Sequence, residues 1–252
     1  MIFCFSACGN TALVADRLAK ILGERVVMIN SSTEDSFDLR SHRRVIWAFP
    51  VYSWGIPMEV RHFMKNVRLR TDGNVPHFMV STCGDDAGLT ARMWRSLMKK
   101  RGWSAKSAHT VIMPNTYVTL PGFDTDSHEI AEEKLLKMPA RTAEIAHAIK
   151  CCSPVDSVVR GRFAWLKTMV IYPLFMRFLT SPKPFHAADS CTGCGKCSKV
   201  CPMGNIMLEN RKPEWGNRCT MCLACYHHCP HKSVEYGKRT RGKGQYTAPK
   251  GI

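Results

Sequence analysis

Apolar positions recur along the first 150 residues with two alternating periods. Ile2 to Phe5 is apolar throughout and of strand length. It passes into Ser-Ala-Cys-Gly-Asn-Thr and then into a segment whose Val14, Leu18, Ile21 and Leu22 share one helical face, stopped by Gly23. Strand-length apolar runs follow at Arg25 to Ile29, Val45 to Val51, His77 to Ser81 and His109 to Met113, with helical patterns over Glu59 to Val67 and Leu89 to Arg101. Strands that are apolar along their whole length are buried on both faces. The pattern therefore predicts an α/β domain with a parallel sheet covered by helices on both sides. Beyond Pro121 the period is helical from His128 to Lys150, with a break or kink expected at Pro139, which cannot donate to the helix ladder.

In such sheets ligands bind beyond the carboxyl ends of the strands, and the loops expected there are rich in binding groups. Ser6 to Thr11 follows the first strand, Pro50 to Pro57 the third, Thr82 to Gly88 the fourth and Pro114 to Tyr117 the fifth. A strand, a glycine loop and a helix N-terminus make an anion site, because unpaired N–H groups and the helix dipole both favour negative charge. Taken singly, Tyr52 and Trp54 also read as core aromatics, and Asp85 and Asp86 as a solvated turn. Four such loops gathered at one end point to a ligand.

The chemistry is densest from Cys191 to Pro230, where C-x-x-C-x-x-C-x-x-x-C-P occurs twice. Three cysteines at this spacing turn onto one iron–sulfur cube, while the fourth reaches the neighbouring cube. The predicted ligand sets are Cys191, Cys194, Cys197 and Cys229 for one [4Fe-4S] cluster, and Cys219, Cys222, Cys225 and Cys201 for the other. A zinc ribbon would leave the third and fourth cysteines of each run surplus. Of the remaining cysteines, Cys4, Cys8, Cys83, Cys151 and Cys152, most are expected to be ordinary buried thiols, and His227, His228 and His231 to be surface histidines.

These motifs carry two resemblances. Phe185 to Tyr236 resembles the bacterial-type ferredoxins with two [4Fe-4S] clusters, which implies one-electron transfer at low potential. Met1 to Lys150, with its S-x-x-G-N-T loop and an aromatic, glycine-containing loop after the third strand, resembles flavodoxin. That resemblance implies a doubly wound sheet of order 2-1-3-4-5 and an FMN cofactor. Its phosphate would be held by Ser6, Ala7, Cys8, Gly9, Asn10 and Thr11, with Tyr52, Ser53, Trp54 and Gly55 on one side of the ring and Thr82, Cys83, Gly84 and Asp85 on the other. Cys8 stands where the family usually has threonine, exchanging a good hydroxyl donor for a weak thiol one. The family also implies a peptide beside the flavin that turns over on reduction, a role for which Gly55 would supply positive φ. The whole chain resembles the EFR1-family ferredoxins, in which a flavodoxin-like domain precedes a small α+β domain with two clusters. That implies electron transfer between the clusters and FMN; reduction of a small organic substrate by the flavin is the rival reading.

Charge narrows the partners. The net charge is +16, of which +5 lies in residues 1–150 and +11 in residues 151–252. A basic electron carrier fits an acidic redox protein, such as a ferredoxin, flavodoxin or reductase, and no nucleic-acid-binding signature accompanies the charge. The N-terminus has no basic n-region and no cleavage site, so a cytoplasmic location without disulfides is expected. Phe163 to Thr180 is the most apolar run. Lys167, Pro173 and Arg177 argue against a membrane span, which leaves a helical connector packed on both domains, over 151–184, or a helix lying on a membrane surface. Residues 237–252 form a basic arm expected to be extended or mobile.

Overall fold

The computed structural model describes residues 1–249. Chain order in the first unit is β1 (Ile2–Cys4), α1 (Asn10–Leu22), β2 (Val26–Met28), β3 (Ser36–Asp38), β4 (Val45–Pro50), α2 (Met58–Asn66), β5 (Arg68–Arg70), β6 (Pro76–Cys83), α3 (Thr90–Arg101), β7 (Ser104–Ile112) and α4 (His128–Lys150). Five strands form one parallel sheet in the order β2-β1-β4-β6-β7. This is the expected 2-1-3-4-5 order once the separate β3–β5 ladder is set aside. That ladder escapes a search for apolar runs because its residues are exposed or only half-buried.

Alternation along the strands divides the core. Phe3, Trp47 and Met79 face α2 and α3, with Val60, Met64, Trp94 and Met98. Ile2, Ile46 and Phe78 face α1 and α4, with Val14, Leu18, Ile145 and Ile149. Two departures from expectation have local causes. β7 begins at Ser104, five residues ahead of the apolar run, because β6 pairs with it from Pro76 onward whatever the side chains are. α4 runs unbroken through Pro139, held to the sheet by buried Met138, Thr142, Ile145 and Ile149 on one face; tertiary packing outweighs the lost hydrogen bond.

The second unit is small. Phe185–Ala187 pairs antiparallel with Val234–Tyr236, and Ile206–Glu209 with Lys212–Trp215. Its core, built from Phe185, Ile206, Tyr226, Val234 and Tyr236, includes cysteines and also takes in Val118 of the first unit.

Between the units, Ala164–Phe178 is helical, with a wider π turn at Lys167–Ile171. Thr168, Tyr172 and Phe175 are buried, but most of the apolar strip is exposed, contrary to the expected packed connector. Cys151 and Cys152 are exposed as well, unlike the buried Cys4, Cys8 and Cys83. The C-terminal arm is extended but tethered. Lys243 Nζ donates to the carbonyls of Val118, Leu120 and Phe123, each at 2.7 Å, and the Ala248 N–H donates to Cys8 O at 2.7 Å. The last three positions of the arm lie outside the described residues.

Candidate flavin and iron–sulfur sites

The loops after β1, β4, β6 and β7 meet around a cavity of about 120 Å³ at the carboxyl edge of the sheet. Ser6, Ala7, Cys8, Asn10 and Thr11 line it from the first loop, Tyr52 and Ser53 from the second, and Thr82, Cys83 and Gly84 from the third. Gly9, Trp54, Gly55 and Asp85 do not. Gly9 faces the arm, where a Cβ would stand 2.9 Å from that of Ala248. Asp85 is exposed.

The first loop is an anion cradle in its backbone more than in its side chains. Gly9 opens α1 at φ 97°, with no side-chain cap. Among the described residues, no backbone N–H from Ser6 to Ala12 donates to a protein acceptor. The polar side chains are already engaged. Asn10 Nδ2 donates to Pro114 O at 2.9 Å, Tyr246 OH donates to Asn10 Oδ1 at 2.9 Å, and the Thr11 and Thr82 hydroxyls pair at 2.7 Å. Burial pushes the Cys8 thiol up to about 12, so it stays neutral.

The second loop corrects an expectation. Tyr52 and Gly55 exchange two backbone hydrogen bonds of 3.0 Å around Ser53 (φ 44°) and Trp54 (φ 62°). Positive φ at both central residues is a type I′ turn. Left-handed backbone therefore falls on Ser53 and Trp54 and not on Gly55, and Gly55 stands away from the cavity. What excludes a side chain at Gly55 is the ring of Tyr172, which a Cβ would overlap. Tyr172 OH in turn donates to Ile56 O at 2.6 Å.

The predicted cysteine sets surround two further cavities, each of about 20 Å³. Cys191, Cys194, Cys197 and Cys229 line one, and Cys201, Cys219, Cys222 and Cys225 the other. Each fourth cysteine accepts an N–H at 3.3 Å from four residues on, Cys201 from Asn205 and Cys229 from Ser233. Such bonds to sulfur tune a cluster's potential. Burial pushes the Cys225 thiol up to about 12, so metal binding must drive its ionisation.

Several residues carry no sequence signal for the first cavity. Met221 and Leu223 of the second unit, with Phe175, complete its wall beside Tyr117 of the loop after β7, and Cys222, expected only as a cluster ligand, joins them. Cys222 thus lines one predicted cluster cavity and the first cavity at once. Glu59 lies near this junction, its carboxyl pushed up to about 8 by burial. His227 corrects the surface expectation: it is buried, donating from Nε2 to Thr116 O at 2.7 Å and accepting the Tyr246 N–H at Nδ1. His228 also crosses between the units, 3.2 Å from Ala7 O.

Comparison with known families decides what the two units are. The model of the flavodoxin domain matches residues 1–119, and that of the 4Fe-4S dicluster domain matches residues 190–234. The chain is a flavodoxin–ferredoxin fusion. Among curated relatives, this fusion is 33% identical over 76 residues to YccM of Escherichia coli (strain K12), whose name refers to electron transport, covering 29% of this chain and 21% of that protein. It is 44% identical over 46 residues to one component of an ion-translocating oxidoreductase complex of Methanosarcina acetivorans, covering 18% of this chain and 17% of that protein. The fusion therefore spans less than a quarter of either relative's length. A solved pneumococcal flavodoxin superposes at a TM-score of 0.34 with 18% identity, covering 57% of this chain and 97% of that one.

Flavin and iron–sulfur cofactors follow from the two domains, and the residues present fit a flavin. The unpaired N–H groups of Ser6 to Ala12 suit a phosphate. The hydroxyl of Tyr52, on the cavity wall, is buried without a partner among the described residues. The cavity's volume falls below the roughly 300 to 1,000 Å³ of cofactor sites, and Phe175, Met221 and Leu223 form part of its wall. Seating the ring in that volume requires lining side chains to move.

Proposed function

We propose that the protein passes single electrons between two [4Fe-4S] clusters and an FMN, coupling one-electron to two-electron redox partners. Cys222 supports this most directly, since it lines both the inner cluster cavity and the flavin cavity. When bound, the flavin supplies a centre that takes one electron or two. The chain's own residues do the rest. Backbone N–H groups of Ser6 to Ala12 hold the phosphate; Tyr52 and Ser53 flank one side of the ring and Thr82, Cys83 and Gly84 the other. Met221 and Leu223 exclude water between ring and cluster. The set that includes the exposed Cys194 forms the outer cluster, beside exposed Lys196, Arg211 and Lys212. That basic rim fits an acidic redox protein.

The test begins with anaerobic purification, quantifying iron, sulfide and flavin together. About eight irons per chain and one FMN are expected. A one-electron donor should then reduce the flavin only in protein that retains its clusters. Flavin reduction at the same rate in cluster-free protein would overturn the relay, and failure to retain added FMN would overturn the cofactor assignment.

A further inference from the structure

The helical run Ala164–Phe178 has two unlike faces. Thr168, Tyr172 and Phe175 pack into the flavodoxin unit, where Thr168 Oγ1 donates to Trp54 O at 2.9 Å and accepts the Leu89 N–H at 2.8 Å. On the opposite side, Leu166, Val170, Leu174 and Phe178 recur every four residues and all are exposed, Phe178 at 64%. Phe163 (71%) and Trp165 (61%) extend this surface at its N-terminal end. One contiguous helical face with this many large apolar side chains in solvent marks a docking surface, unlike apolar residues scattered singly.

Charge identifies what it docks on. Between Asp156 and Asp189 the sequence has no acidic residue, while Arg160, Arg162, Arg177 and Lys183 are all exposed. Arg162 lies 5.6 Å over the Phe163 ring and Arg177 5.6 Å over the Phe178 ring, so cations sit beside the aromatic groups at both ends of the apolar strip. Two copies meeting through this face would bring like charges together with no counter-charge from the segment. An apolar helix face with terminal aromatics and flanking basic residues is suited to the headgroup boundary of an anionic bilayer. At 1.5 Å per residue the run is about 22 Å long, short of the roughly 30 Å hydrocarbon core, so it lies in the interface and does not cross it.

We infer that Ala164–Phe178 is an in-plane docking helix that seats the protein on an anionic lipid surface. Because Tyr172 of the same helix packs against Gly55 in the loop after β4, docking holds the flavodoxin unit at a fixed orientation to the membrane. The inference does not depend on the electron relay, and its test reads neither flavin nor cluster reduction.

Holoprotein is floated with phosphatidylcholine vesicles, with and without phosphatidylglycerol. Binding to the anionic vesicles should be at least about tenfold tighter. The double variant Leu166→Ser and Leu174→Ser changes only exposed side chains; it should lose vesicle binding while keeping wild-type iron and flavin content. The double variant Arg160→Gln and Arg162→Gln should narrow the gap between the two vesicle types. No binding to anionic vesicles, or undiminished binding by the leucine variant, would overturn the inference. So would a dimer in vesicle-free solution that the leucine variant dissolves, since the face would then belong to a second copy.

Discussion

The two cysteine runs repeat one backbone with opposite side chains. Gly193 and Gly195 of the first run have φ 70° and 74°; the matching Met221 and Leu223 of the second have φ 55° and 59°. A residue with a Cβ in this region costs about 1 to 2 kcal/mol, a cost the first run avoids with glycine. In the second, both side chains are almost wholly buried, and burying a methionine or leucine contributes about 1.5 to 3 kcal/mol. Burial therefore offsets the strain. Glycine stands where the Arg211 backbone and the Leu208 side chain press on the first run, and side chains are worth their strain where the second run walls the flavin cavity. In the proposed relay, one repeat is the outer port and the other the inner junction.

Removing one cysteine from each run gives the largest effect. Cys194→Ala and Cys222→Ala should each lower iron from about eight to about four per chain. Only Cys222→Ala should also weaken flavin retention, because that side chain is part of the cavity wall. Equal flavin content in the two variants would break the distinction between outer and inner cluster, and eight irons in either would refute its ligand set.

Alanine in place of each glycine of the first run should show that its two positions differ. At Gly193 a Cβ would overlap the Arg211 carbonyl, whereas at Gly195 it meets only Leu208 Cδ1, at 3.2 Å. Gly193→Ala should cost about 2 to 4 kcal/mol, combining strain with overpacking, and Gly195→Ala about 1 kcal/mol. Denaturant midpoints of the holoproteins measure both. Equal losses would mean that the Arg211 backbone yields.

Met221→Gly reverses the exchange. It should recover about 1 kcal/mol of strain and lose about 2 kcal/mol or more of burial. The expected outcome is a net loss near 1 kcal/mol together with weaker flavin binding, read by unfolding and by flavin titration. A more stable protein with unchanged flavin affinity would show that Met221 has no part in the cavity wall. The smallest effect is on encounter. Lys196→Gln should slow reduction by an acidic carrier a few-fold at low salt and hardly at all at high salt, since exposed charges are screened beyond about 8 Å at physiological ionic strength. A rate indifferent to salt would place docking elsewhere.

What the amino-acid sequence determined by itself is what short-range spacing encodes. Apolar runs of strand length and a 3.6-residue helical period specify the parallel α/β unit, and the twice-repeated cysteine spacing specifies the dicluster domain. These patterns act through neighbours a few residues apart, so they survive without knowledge of packing. The junction was not legible in this way. Tyr246 meets Asn10 across 236 positions, His228 meets Ala7 across 221, and Tyr172 meets Ile56 across 116. Nothing in the local pattern distinguishes Met221 as a cavity wall from Met221 as a loop residue, or a buried His227 from a surface one. Gly55 shows the limit most clearly. The resemblance to flavodoxin implied a glycine needed for its φ, but the ring that excludes a side chain there comes from a helix more than a hundred residues away. Only the docking of one folded surface on another, a global minimum of packing and desolvation, decided which residues stand between flavin cavity and cluster.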